Sequence, residues 1–136
     1  MESLVDLIFR LKASCMVSEL DIMTESGLSP AEFNGIAAME PNQTICGNAV
    51  SQRMNLSPSR ASRVIDKMVQ NGYLSREIDA LDRRKCNISL AQKGVAVKKK
   101  IQRLKQQCEK QLRANLTDTE IETFSGALNK IIKIMG

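Results

Sequence analysis

Residues 56–74 read LSPSRASRVIDKMVQNGYL, and this stretch decides the fold. Ser57 followed by Pro58 is typical of a helix N-cap and first helical residue, and Gly72 is a typical C-terminal stop. Between them, apolar residues recur at the i, i+3, i+4, i+7 and i+8 spacing of one helix face. They are Ala61, Val64, Ile65, Met68 and Val69. The stretch therefore predicts an amphipathic helix.

The opposite face of this helix carries polar and charged side chains. They are Ser59, Arg60, Ser62, Arg63, Asp66 and Lys67. Arginine suits bidentate contact with guanine, and serine hydroxyls can contact bases or phosphates. Most of these donors lie near the helix N-terminus, which is the end that recognition helices place in the major groove. A solvated face that happens to hold two arginines is the alternative for this helix taken alone.

After Gly72 the apolar period changes from 3.6 to 2, which predicts a β-hairpin. Its strands are residues 73–77 and 85–90, and residues 78–84 form a polar tip. Arg83, Arg84 and Lys85 give this tip the charge to enter a minor groove or to grip its phosphates. Asp82 would be repelled by phosphates, so we expect it to orient a neighbouring arginine. A helix-turn-helix followed at once by a basic hairpin indicates a winged helix.

Three helices are predicted before residue 56. The first has a helical apolar stripe and ends before Gly27, and the second opens with the capping box Ser29-Pro30-Ala31-Glu32. The third is predicted over residues 44–54, with Gly47 in its interior at a cost of roughly 1 kcal/mol relative to alanine.

Two helices are predicted after the hairpin. A long basic helix follows Gly94 and continues to Leu112, and a final helix opens with the capping box at residues 117–120. The predicted order is α-α-α-α-β-β-α-α, a mainly α (α+β) winged helix-turn-helix in a single domain over residues 1–136.

Composition excludes several functional classes. The chain has no histidine, which removes Ser-His-Asp and Cys-His catalysis and most zinc chemistry. It has no glycine-rich phosphate loop, so we expect no enzyme, no metal and no cofactor. No apolar run reaches the ~20 residues of a membrane span, and no secretory signal is recognisable. The four cysteines form no C-x-x-C pair and are expected to be reduced, mostly buried thiols of a cytoplasmic protein.

Basic charge is concentrated in the middle of the chain and just after it. Residues 1–52 carry a net charge of −5, residues 53–85 carry +4 and residues 93–113 carry +7. This pattern suits a polyanionic partner. On charge alone, a solvated helix face is an equally good explanation.

The hairpin and the helix before it resemble one family closely. The stretch from Leu56 to Met68 and the exit Asn71-Gly72-Tyr73-Leu74 are similar to the recognition helix of the MarR family of regulators. Arg76, residues 79–84, residues 88–90 and Lys93-Gly94 are similar to its wing. The order of elements matches over nearly the whole chain. Ala91 departs from the pattern, since the family usually has a capping threonine there.

The resemblance implies a homodimeric regulator of transcription that binds double-stranded DNA on a pseudo-palindromic operator, most simply as a ligand-responsive repressor. Residues 29–94 would bind DNA, and residues 1–27 and 95–136 would form dimerisation helices that interleave between subunits. Arg84 would be the main wing contact, and a small-molecule effector would be a further partner.

The candidate residues fall into two sets. Those expected to contact DNA are Ser57, Ser59, Arg60, Ser62, Arg63, Lys67, Arg76, Arg83, Arg84 and Lys85. Those expected at the dimer interface are Leu4, Ile8, Leu11, Leu112, Ile121, Phe124, Leu128, Ile131 and Met135.

Two alternatives keep the same fold. One is a regulator that senses oxidants through a thiol such as Cys15, although a packing role is favoured for the four cysteines. The other is a protein-interaction module that does not bind DNA, against which the arginines of the helix and the tip argue.

Overall fold

The computed structural model describes residues 1–82 and 85–136. Arg83 and Arg84 lie outside the described residues. The chain forms two compact units, Met1–Ile101 and Gln102–Gly136. Among the described residues, no helix combines the length and the hydropathy that crossing a membrane requires.

The end of the first helix and the start of the second lie where the sequence predicts. Helix α1 spans Leu4–Ser26 and ends at Gly27, whose φ of 71° is the left-handed conformation that glycine adopts readily. Helix α2 spans Pro30–Ala37. The Ser29 hydroxyl accepts from the backbone N–H of Glu32, and the Glu32 carboxylate accepts from that of Ser29. The predicted capping box of α2 is therefore confirmed.

The prediction of a third helix over residues 44–54 is wrong at its start. Ile45–Cys46 form a short strand, β1, and helix α3 spans only Gly47–Arg53. The periodicity of a short apolar run does not distinguish a helix from a strand. The strand forms because a partner is available in the hairpin. Ile45 pairs with Ile88 there, in antiparallel register.

Gly47 consequently occupies the first position of α3, so the expected cost of an interior glycine does not apply. A Cβ on residue 47 would lie 3.0 Å from the Cys86 sulfur. The glycine lets α3 begin directly against the hairpin.

Helix α4 spans Pro58–Gln70, and the hairpin strands β2 and β3 span Leu74–Ile78 and Cys86–Leu90. The strands pair antiparallel in the sheet order β1-β3-β2. The predicted winged helix-turn-helix is confirmed, with one strand more than the sequence indicated.

Helix α5 spans Gln92–Asn115, so it begins two residues before Gly94 rather than after it. Backbone carbonyl groups of the segment that follows α4 accept hydrogen bonds from the start of α5. Ala91 N–H donates to the Tyr73 carbonyl oxygen and Lys93 N–H to that of Gly72. The bond from Lys93 satisfies an N–H group that a capping threonine at residue 91 could otherwise satisfy, so the helix starts without one. Helix α6 spans Asp118–Met135 behind the capping box of Thr117 and Glu120.

The hydrophobic core lies in the first unit. Its fully buried centre includes Ile36, Met39, Val50, Met68 and Ile88. In the second unit, residues 102–136, all of which are described, no residue is buried. The second unit therefore has no enclosed core within a single copy of the chain.

Candidate nucleic-acid interface

The turn between α3 and α4 sets the direction of the candidate reading helix. Asn55 adopts a left-handed φ of 57°, which asparagine tolerates better than most residues. The buried Ser51 hydroxyl donates to the Leu56 carbonyl oxygen, and the Ser57 hydroxyl accepts from Arg60 N–H at 3.4 Å. The first bond ties the turn to α3, and the second caps the start of α4.

Helix α4 separates apolar and polar residues as predicted. Ala61, Ile65 and Met68 are buried on its inner face. All six polar residues of the outer face are exposed, and so is the cap residue Ser57. The six are Ser59, Arg60, Ser62, Arg63, Asp66 and Lys67. The helix thus presents two guanidinium groups, one ammonium group and three hydroxyls to solvent, with Asp66 among them.

Arg76, a candidate DNA contact on β2, is engaged within the chain. Its Nη2 lies 2.5 Å from Oδ1 of Asp66 on α4. The Arg76 side chain is 31% exposed and that of Asp66 52%. The structure thus brings together two residues that the sequence analysis assigned to separate elements.

Backbone bonds close the hairpin tip. Asp79 N–H donates to the Lys85 carbonyl oxygen, and Lys85 N–H donates to that of Asp82. The Asp79 carboxylate accepts from Leu81 N–H at 2.9 Å, as in the Asx turns that such loops favour. Lys85 is exposed. The contacts expected of Arg83 and Arg84, and the orienting role expected of Asp82, stay predictions.

The wing is tied to the helices around it through Tyr73, which follows the turn at Gly72. Its hydroxyl donates to the Ser26 carbonyl oxygen at the end of α1. Its ring lies 5.8 Å from the Lys93 ammonium of α5, which is within cation–π range. The exit from α4 is therefore attached to both α1 and α5.

Within each unit, apolar side chains remain exposed. On α1 the exposed fractions are 69% for Leu4, 39% for Ile8 and 52% for Leu11. On α5 and α6 the exposed candidates are Leu112, Phe124, Leu128 and Met135, while Ile121 and Ile131 are partly exposed. Large contiguous apolar surface is unusual on a monomer and indicates a binding face.

The expectation that the cysteines are mostly buried is wrong for the single chain. Cys15, Cys46 and Cys108 are exposed, and Cys86 is partly buried. Cys15 belongs to the uncovered part of α1, and Cys46 ends the two-residue edge strand β1. Periodicity placed Cys15 and Cys108 on helices correctly but did not indicate whether anything covers them, and it placed Cys46 in a helix where the structure has a strand.

Sequence reasoning missed one buried charge. Lys98 was counted among the basic residues of α5, yet it is only 2% exposed. Its ammonium group donates to the Ala37 carbonyl oxygen at 2.6 Å and lies 3.6 Å from a Glu40 carboxylate oxygen. Lys100 pairs with Glu25 and Arg113 with Glu109. Three of the eight basic residues of α5 are therefore paired with carboxylates within the chain.

Comparison with known proteins points to one family. A sequence model of the MarR family matches residues 26–85. The HTH-type transcriptional repressor MdtR of Bacillus subtilis is 25% identical over 75 residues, which cover 55% of this chain and 48% of MdtR. The HTH-type transcriptional regulator PapX of Escherichia coli is 24% identical over 131 residues, covering 95% of this chain and 80% of PapX. The chain thus spans about half of MdtR and most of PapX.

The fold matches solved structures over nearly its whole length. A crystal structure of a MarR-family transcriptional regulator from Silicibacter pomeroyi superimposes with a TM-score of 0.72 at 22% identity. The match covers 96% of this chain and 88% of that one. At this identity the likeness establishes the fold.

Proposed function

We propose that the chain is a member of the MarR family, whose sequence model matches residues 26–85, and that it binds double-stranded DNA as a homodimer and regulates transcription. The family is one of transcriptional regulators and not of enzymes. One observation carries the proposal most directly: the polar residues of the outer face of α4 are all exposed and rich in hydrogen-bond donors, while its inner face is buried in the core.

Each part of the interface has a distinct proposed task. Arg60 and Arg63, in the first two turns of α4, are proposed to read base edges in the major groove. Ser57, Ser59, Ser62 and Lys67 are proposed to contact phosphates or bases from the same helix. Lys85, exposed at the base of the hairpin tip, is proposed to contact the backbone next to the minor groove. Base contacts specify the sequence, whereas phosphate contacts position the protein.

A second copy of the chain is the proposed cover for the apolar residues of α1 and α6. The second unit buries none of its residues alone, and helices of this kind gain most of their stability from packing an apolar face. A two-fold dimer would present two reading helices, so the operator is proposed to be pseudo-palindromic. The dimer is proposed to act in the cytoplasm. It would repress transcription if its operator overlaps a promoter.

A small-molecule effector completes the proposal. A cavity of about 300 Å³ lies within the first unit and is lined by Ser62 and Ile65 of α4, Arg76 and Ile78 of β2, and Cys86 of β3, among others. Its volume is at the lower end of that of small-ligand sites. A ligand there would touch the reading helix itself, which would let binding alter the affinity for DNA.

Selection of bound fragments from genomic DNA, followed by footprinting, tests the function. We expect enrichment of a two-fold sequence with two protected half-sites about one helical turn apart. The double variant Arg60→Ala/Arg63→Ala should lose this enrichment while keeping its circular dichroism spectrum. If the wild-type protein enriches no sequence, the proposal fails, and a protein-interaction module takes its place.

A further inference from the structure

One acidic side chain lies among the donors of the reading helix. Asp66 is one helical turn beyond Ser62 and three residues beyond Arg63, on the same exposed face. A carboxylate brought close to DNA phosphates is repelled by them, so an uncompensated Asp66 would oppose the binding that its neighbours favour. Among the described residues, Asp66 forms an ion pair with Arg76, at 2.5 Å.

The other end of the pair has a fixed position. Arg76 is the central residue of β2, where it is paired with Ile88 of β3. Ile88 is completely buried, and so is nearly all of Leu74 two residues before Arg76. The strand is therefore held by the core, and its guanidinium group reaches the exposed side of α4 from a defined place.

We propose that Arg76 acts on DNA through Asp66 rather than by contacting DNA itself, and that the pair sets the orientation of the reading helix relative to the wing. This inference rests on the proposed function. Arg76 cancels the charge of Asp66 where phosphates will approach, and it joins the middle of α4 to the wing strand. The two are positioning residues, and they matter for sequence preference more than for affinity in general.

The exposure of the pair predicts how its contribution divides between folding and binding. In the free protein both side chains are partly hydrated, at 31% and 52% exposure, and ion pairs of this kind contribute little to stability. DNA lying on α4 would exclude water from the pair, and close charge pairs couple strongly when they are desolvated. Breaking the pair should therefore change the free energy of unfolding little and change DNA binding strongly.

A charge swap with a charge-matched control tests the inference. The variants are Asp66→Arg, Arg76→Asp and their combination, which exchanges the two charges. The control is Arg76→Asp/Glu77→Arg, which has the same net charge as the wild type and the swap. It places the arginine one residue along β2, on the opposite face of the strand. The readout is the ratio of the dissociation constants for the selected operator and a scrambled duplex, measured by fluorescence anisotropy.

We expect each single variant to lose about tenfold or more of this ratio. The swap should recover most of the loss, whereas the control should recover none of it. The midpoint of thermal unfolding should be nearly equal in all variants. If a reversed charge prevents folding, Asp66→Asn, Arg76→Gln and their combination give the same cycle without adding a charge.

The opposite results identify the other roles. A swap that recovers no more than the control overturns the inference. If the loss is then equal on both duplexes and the salt slope falls by about one unit per lost phosphate contact, Arg76 contacts DNA directly. If the wild type prefers no duplex at all, the proposed function fails, and that result is distinct from failure of the pair.

Discussion

Gly94 of α5 lies directly against the backbone of Tyr73, where the chain leaves the reading helix. A Cβ on residue 94 would overlap the Tyr73 carbonyl oxygen, which itself accepts a hydrogen bond from Ala91 N–H. The first turn of α5 can reach this backbone only because residue 94 has no side chain. The attachment of the wing to α5 therefore depends on a single glycine.

Gly94→Ala should destabilise the protein, because the backbone atoms that it meets cannot move without breaking the bond to Ala91. We expect a loss of about 3 kcal/mol, at the upper end of overpacking costs, measured by urea unfolding at a fixed protein concentration. Gly126→Ala is the control. A Cβ there meets nothing within 4 Å, so it should gain about 0.5–1 kcal/mol from helix propensity. Equal effects at the two sites would contradict the close contact.

Lys98→Met should destabilise the first unit, because it removes the donor to the Ala37 carbonyl oxygen and keeps most of the apolar stem. We expect a loss of about 1–3 kcal/mol for the unsatisfied carbonyl group. Lys99→Met, at the exposed neighbouring position, should change the free energy of unfolding by less than about 0.5 kcal/mol. If Lys98→Met unfolds at the same urea concentration as the wild type, the buried bond contributes nothing.

Leu128→Asp should dissociate the proposed dimer. Each copy would bury one leucine worth about 1.5–3 kcal/mol, so the two together account for about 3–6 kcal/mol of the association free energy. Sedimentation equilibrium should show monomer at concentrations where the wild type is a dimer. Asn129→Asp adds the same charge at the next position and should leave the dimer intact. A wild-type protein that is already monomeric at micromolar concentration would refute the proposal.

Acid should loosen the start of α6 through Glu120. The backbone N–H of Thr117 donates to this carboxylate, and its hydroxyl adds a further bond, which lowers the pKa of Glu120 below 4.5. Because the folded-state pKa is the lower one, the stabilisation is present above the unfolded value and is lost as pH falls through the folded value. Glu120→Gln should therefore flatten the acid limb of a pH titration followed by circular dichroism, and Glu122→Gln is its control.

Substitutions in α4 and in the wing should affect DNA binding differently, because α4 is proposed to read bases and the wing to contact phosphates. Arg63→Ala should cost about 1–3 kcal/mol on the selected operator and relax the preference at one position of each half-site. Lys85→Ala should weaken binding to all duplexes and lower the salt slope by about one unit per lost phosphate contact. Anisotropy titrations over a range of salt measure both. A loss that is independent of sequence for Arg63→Ala would remove it from the base-reading set.

Local signals along the chain predicted most of the architecture. The serines and prolines before α2 and α4, and the glycines at 27 and 72, act on their own backbone, so their meaning does not depend on distant residues. The amphipathic pattern of α4 identified its buried and exposed faces correctly. The same pattern failed at residues 44–46, because a two-residue strand is defined by its partner in β3 and not by its own period.

The amino-acid sequence by itself determined the capped helix ends, the winged helix and the donors of the reading face, since each rests on interactions within a few residues. Only the tertiary structure decided what the charged side chains do. It turned Lys98 into a buried donor to α2, and it paired Arg76 with Asp66 across 10 positions of the chain. Charges look alike in sequence, and their roles depend on which atoms the fold brings within a few ångströms of them.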